Sequence, residues 1–379
     1  MAVTPFTIHV PDHDLAALAD RLARTRLPDA VTDGGWSYGA DRAFLRDLTA
    51  YWRDGFDWRA QEAKLNRFAQ FTADVDGNEI HFVHARGKGP KALPLLITHG
   101  WPSSFAEFAK IIPLLTDPAA HGRRAEDSFD VIAPSLPGFG FSAHPTTPGM
   151  TSAAVTKLWV KLMTEVLGYD RFVAQGGDIG GGITNRLGRN HAEHVTAIHA
   201  MVAPPLARED ITDPTDAERA FIALQAEWER EEGAYGHQQR TRPQSLAFGL
   251  NDSPVGLAAW IVEKWRAWSD CGGDILSRFT MDELLTTISI YWFTQSIGSS
   301  MRMYYETAHG QEPRPAHKIA VPARIFLTRE AVDLCPPEYA ARSYVNFSYG
   351  VAERGGHFLA AEEPELLAKD IREAFRPYR

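Results

Sequence analysis

The period of the apolar positions changes along the chain, and each change predicts an element. Leu15, Leu18 and Leu22 recur at three- and four-residue spacing, which places a helix over residues 12–26, with Asp12 set to cap its start and Pro28 just beyond its end. A Trp-rich segment follows, "YWRDGFDWRAQEAKLNRF". Asp76-Gly77 then separates two short runs, the second being "EIHFVHA", which is the pattern of a tight hairpin. The runs "LPLLITHG", "FDVIAPSLPGFGFS" and "RFVAQGG" are apolar without a break. Strands buried on both faces read this way, as in parallel sheets. Helical patterns separate the three runs, so the expectation is an α/β fold with a mostly parallel central sheet covered by helices.

From about residue 204 to 318 strand signals fade and helix-like segments dominate, among them "SPVGLAAWIVEKWRAW" and "MDELLTTISIYWFTQSIGSSMRMYYE". Strand patterns return at "VPARIFLT" and "SYGVAERGGHF", and a last helix is predicted over roughly 363–375. The implied organisation is an N-terminal extension (1–88), a core in two parts (89–203 and 319–379) and an inserted helical cap (204–318). The tryptophans of the extension need burial, so it is expected to wrap the core and cap rather than stand free.

Candidate chemistry starts at "AQGGDIGG". Gly176, Gly177, Gly180 and Gly181 surround Asp178 between a strand and a helix, and such glycines allow a sharp turn that lifts one side chain out of the sheet. Glycine-rich turns also bind phosphates, but G-x-G-x-x-G with an acidic residue about 20 positions on is not completed, so a dinucleotide site fits poorly. Asp333, in "EAVDLCPP", and His357, in "RGGHF", follow on predicted loops. Nucleophile, acid and histidine in this order form one of the known catalytic triad orders. Asp333 could orient the imidazole and leave its other nitrogen free as a base, and Glu330 competes with it for that place. "HGWP" (99–102) ends the first core strand, where backbone amides stabilise an oxyanion; the donors expected are those of Trp101 and Ile179. With fourteen histidines present, chance pairings are easy, and only the joint occurrence carries weight.

Composition narrows the class. Lysine and arginine number 39 against 48 acidic residues, a formal charge of −9, and no basic run is present, so a nucleic-acid partner is not expected. Two cysteines, Cys271 and Cys335, exclude a disulfide framework and favour a reducing, cytoplasmic setting. The start "MAVTPFTIHVPDHDL" lacks a signal-peptide pattern, and no run approaches the roughly 20 apolar residues of a membrane span.

Longer stretches carry a resemblance. "RLPD", "GWSYG", "WRAQEAKLNRF", "HGWPSSFAEFAKIIPLLTDP", "LPGFGFS", "GGDIG", "LNDSPVGLAAWIVEKW", "DLCP", "RGGHF" and "EEPELLAKDI" span nearly the whole chain. Together they resemble the microsomal-type and fungal epoxide hydrolases, a branch of the α/β-hydrolase superfamily with an N-terminal extension. The resemblance implies Asp178 as nucleophile, Asp333 and His357 as the water-activating pair, and two cap tyrosines as electrophilic catalysts. Local motifs match these to Tyr235, in "GAYGHQQRTRP", and Tyr304, in "SSMRMYYE", with Tyr305 adjacent. The implied substrate is a small-molecule epoxide and the product a diol, with no metal or organic cofactor; a homodimer is left open.

Chemistry explains why the turn holds an aspartate. A serine opening an epoxide would form an ether, which water cannot readily cleave, whereas a carboxylate forms an ester whose carbonyl water can attack. The residue after the nucleophile is commonly tryptophan in this family and is Ile179 here, which keeps the amide and removes an aromatic wall. A haloalkane dehalogenase also uses an aspartate elbow, but it needs halide donors that Ile179 does not offer. An esterase would form a reactive anhydride, and a non-catalytic binding protein would not need the full set of groups. Detoxification, xenobiotic catabolism and natural-product biosynthesis are all compatible.

Overall fold

A computed structural model describes residues 2–311, 315, 317–330 and 332–379, so the end of the segment 204–318 is described only in part. One nine-stranded sheet organises the chain. Its strands are β1 (Val3–Phe6), β2 (Gln70–Val75), β3 (Asn78–Ala85), β4 (Leu93–Thr98), β5 (Phe129–Pro134), β6 (Phe172–Gly176), β7 (Val195–Ala200), β8 (Ala323–Leu327) and β9 (Phe347–Val351). They lie in the order β1-β2-β3-β5-β4-β6-β7-β8-β9. Pairing is antiparallel from β1 through β3 to β5 and parallel from there to β9. The hairpin forms where Asp76-Gly77 predicts it: both residues have positive φ, 53° and 77°, and Val75 pairs with Asn78. The apolar pattern does not predict β1, which is four residues long and mostly exposed, or β7.

The unbroken apolar runs are explained by two-sided burial. Along β4, Leu95 and Ile97 enter one apolar cluster while Leu96 enters the other, on the opposite face, and all three are almost fully inaccessible. Full burial of such a side chain contributes about 1.5–3 kcal/mol, so the central strands anchor both layers of helix. The first helix runs Asp12–Ala23 and is shorter than expected. Asp12 does not cap it; Pro11 holds the cap position, and the Asp12 carboxylate sits in the first turn paired with Arg59 at 2.5 Å.

Between β7 and β8 the chain forms helices Asp216–Glu231, Ala234–Thr241, Pro243–Asp252, Pro254–Trp268, Met281–Phe293 and Ile297–His309. The N-terminal residues bind this helical insert directly. Tyr51 and Gln61 both donate to the Asp282 carboxylate, at 2.8 and 3.0 Å, and Arg21 pairs with Asp252. Among the described residues no helix is long and apolar enough to cross a membrane.

Candidate active site

β6 ends at Gly176, and Asp178 opens the helix Asp178–Asn190 with φ at +50°. Few residues other than glycine adopt this left-handed region, and aspartate is among those that do so most readily. Two glycines make the surroundings fit. A Cβ at Gly180 would collide with the Thr98 carbonyl at the end of β4, and a Cβ at Gly100 would occupy the place of the Asp178 carboxylate. The helix therefore packs tightly on the sheet, and the loop after β4 leaves room for one carboxyl group.

The carboxylate is met by donors. The Trp101 N–H donates to Asp178 Oδ1 at 2.9 Å, and the Ile179 amide donates to the same group. Burial raises the Asp178 pKa, while the charge of His357 and these two amides oppose the rise. The loop bearing Trp101 is fixed from three sides. Trp265 donates its indole N–H to Pro102 O at 3.0 Å, and Tyr291 donates its hydroxyl to Ser103 O at 2.8 Å. His99 contacts Gly100 O through Nδ1 and accepts from the Leu136 N–H through Nε2, which requires a neutral ring; burial pushes its pKa down to about 4. Two of these restraints come from the helical insert, so insert and sheet share the work of placing the amide.

His357 lies beyond β9, its backbone N–H bonded to Trp268 O at 2.8 Å. Its Nε2 stands 3.7 Å from Asp178 Oδ2 and its Nδ1 stands 3.6 Å from Asp333 Oδ2. Burial disfavours the imidazolium, but the contact with Asp333 and the charges of Asp178 and Asp333 outweigh it and raise the pKa to about 9. Glu330, the competitor, keeps its carboxyl near 7 through burial and repulsion from Asp333. Glu330, about half protonated near pH 7, is the weaker partner for the imidazole, whose Nδ1 stands 3.6 Å from Asp333 Oδ2.

Tyr235 and Tyr304 come from different helices of the insert and meet over Asp178. Their ring centroids are 6.2 Å apart, with the rings edge to face at 77°. Burial, with the nearby Asp178 charge, drives both phenol pKa values up, so both keep their protons. Tyr305 faces the other way, partly exposed and stacked on His309 at 4.1 Å. The expected residues 178, 333, 357, 235, 304, 101 and 179 thus converge on one place.

Comparison with known proteins gives the family. Residues 3–108 match the family described as "Epoxide hydrolase N terminus", and residues 94–250 match "alpha/beta hydrolase fold". The chain is 38% identical to "Epoxide hydrolase 1" of Sus scrofa, over 98% of this chain and 88% of that protein. It is 30% identical to the crystal structure of juvenile hormone epoxide hydrolase from the silkworm Bombyx mori, with a TM-score of 0.91 over 100% of this chain and 95% of that one. The chain belongs to the epoxide hydrolase family. The Aspergillus niger epoxide hydrolase structure is also similar, at 28% identity and a TM-score of 0.84, covering 100% of this chain and 97% of that one. The fold is accordingly the α/β-hydrolase fold, and this epoxide hydrolase homologue is a hydrolase.

Several residues of the site are not legible in the sequence of this epoxide hydrolase family member. Trp268 packs against both His357, at 5.2 Å, and Tyr235, at 5.0 Å, and joins the two halves of the site. Glu107 borders the same cavity as Asp178 and His357. No catalytic motif marks either one, although Glu107 lies within "HGWPSSFAEFAKIIPLLTDP"; each is recognisable as a site residue only once distant segments are brought together. Among the described residues no group of three or more His, Cys, Asp or Glu side chains is arranged to hold a metal ion.

Proposed function

We propose that the protein hydrolyses an epoxide to a vicinal diol by way of an ester on Asp178. The observation that carries this reading is the Asp178 carboxylate, presented at a left-handed turn, bonded by the Trp101 and Ile179 amides and 3.7 Å from His357 Nε2. One carboxylate oxygen attacks an epoxide carbon and the C–O bond of the ring breaks. Tyr235 and Tyr304 donate to the departing oxygen, which becomes the first hydroxyl. Their high pKa values suit donors to a developing alkoxide, which is itself strongly basic.

In the second step His357, held by Asp333, removes a proton from water, and the water oxygen attacks Cγ of Asp178. The two amides stabilise the oxyanion formed on the aspartate itself. The bond from Cγ to the alkyl oxygen then breaks, the diol leaves with the proton from His357, and one water oxygen stays in the carboxylate, while the second proton of the water restores the phenol that protonated the first hydroxyl. Residues 204–318 act as the cap that brings the tyrosines to the substrate, and a small-molecule epoxide is the partner.

A single turnover with enzyme in excess, in water labelled with heavy oxygen, tests the route. The ester route yields mostly unlabelled diol and label in the peptide containing Asp178. Labelled diol with an unlabelled peptide would mean that Asp178 acts as a base on water and forms no ester.

A further inference from the structure

The site has a second side, turned away from the tyrosines. A cavity of about 20 Å³ lies against Asp178, bounded also by His357, Gln175, Met201, Ala360 and Glu107. That is room for one water molecule, which needs at least about 10–15 Å³ and polar partners. Neither Tyr235 nor Tyr304 borders it. The face of the carboxylate aimed at the tyrosines and the face aimed at this cavity are therefore chemically different.

Glu107 sits on the short turn Phe105–Ala109, which continues the loop bearing Trp101, and it borders the cavity that Asp178 and His357 also line. On its other side it borders an open cleft of about 590 Å³ that reaches Tyr51, Lys64, Lys110 and Glu283. The cations there are engaged elsewhere: Lys110 is paired with Glu283 at 2.5 Å, Lys64 donates to Gln61, and Arg67 donates to Lys64 O. A carboxyl group thus stands between the reacting aspartate and a route to solvent.

We infer that Glu107 holds the water that hydrolyses the Asp178 ester in the 20 Å³ cavity, and that the cleft behind it supplies that water; the assignment rests on the ester route proposed above. The water gives one proton to His357 Nε2 as its oxygen attacks Cγ, and its other O–H donates to the Glu107 carboxylate. The carboxylate gains and loses nothing over the cycle. It fixes the direction of the lone pair and keeps the nucleophile on the face opposite the alkyl group. Burial raises the Glu107 pKa to about 7, against the pull of Ser103 and of the His357 charge, so a substantial fraction is ionised at neutral pH.

The test compares the two half-reactions in the full chain, by rapid quench and intact mass, with an aryl epoxide in single turnover. In Glu107→Gln, ester decay should slow by at least about 10-fold more than ester formation, so the adduct on Asp178 persists. Ala360→Val narrows the cavity while leaving Glu107 in place and should slow decay in the same selective way. Wild-type adduct that decays equally fast in Glu107→Gln, or equal slowing of both half-reactions in that variant, would overturn the inference and leave the ester route standing. Wild type forming no adduct would overturn the ester route and this inference with it. If Glu107→Gln yields no folded protein, Ala360→Val decides alone: selective slowing supports the water site, and unchanged decay overturns it.

Discussion

Trp101 and Tyr235 stack face to face, with ring centroids 5.2 Å apart and planes inclined by 9°. Trp101 belongs to the loop after β4 and carries the amide that holds Asp178; Tyr235 belongs to the helical insert. The stack therefore sets the height of one proposed acid above the nucleophile. Trp101 also meets Tyr304 edge-on at 6.1 Å, so both phenols take their position from one indole. Replacing Trp101 by alanine should cost about 3–5 kcal/mol of stability, as for other large buried aromatics, and should slow ester formation in whatever folded protein remains. Urea unfolding and rapid-quench alkylation check the two parts separately. Normal alkylation in a destabilised Trp101→Ala would remove the indole from any positioning role.

His357→Gln should stop turnover while ester formation continues, because glutamine cannot take a proton from water. Intact mass after mixing with substrate should show the adduct accumulating to about one per active site. Of the two acids, Asp333→Asn should lower turnover much further than Glu330→Gln, since Asp333 lies 3.6 Å from His357 Nδ1 and Glu330 is held partly protonated. The reverse ranking would transfer the orienting role to Glu330.

Tyr235→Phe and Tyr304→Phe should each slow ring opening by about 10²–10⁴-fold, with the double variant slower still. Tyr305→Phe serves as the control, because its ring points to His309 and solvent. Pre-steady-state alkylation rates give the comparison. A slow Tyr305→Phe beside a normal Tyr304→Phe would contradict the orientation on which the assignment depends.

The charge of Asp178 helps to hold the proton on His357, whose pKa of about 9 lies above its ordinary 6.5. Folding therefore gains stability from this group in full below about pH 6.5, and loses it as pH rises through about 9. Across that window the melting temperature of wild type should fall more steeply than that of His357→Gln. Esterification removes the Asp178 charge, which lowers the imidazole pKa and frees the base when it is needed. Asp178→Asn imitates that loss, so its His357 should titrate below the wild-type value by NMR. An unshifted titration would show that Asp178 does not hold the proton.

Features written in neighbouring residues are legible in the sequence alone. Asp76-Gly77 dictates its hairpin because the turn needs two positive φ angles, and the glycines around Asp178 mark the elbow because only they permit the close approach to Thr98 and the sharp exit from β6. The apolar runs of β4, β5 and β6 declare burial on two faces. Tertiary structure alone decides the rest. That β3 pairs with β5 and not with β4, and that β1 and β7 are strands at all, depends on partners far along the chain. Tyr304 and Tyr305 are neighbours with the same chemistry, and only the packing of their helix turns one toward Trp101 and the other toward solvent. Glu107 and Trp268 reach the site through loops and helices whose relative placement no local pattern encodes. A turn is specified by the dihedral limits of a few consecutive residues, whereas a cavity is specified by surfaces that meet only when the whole sheet and its insert have packed.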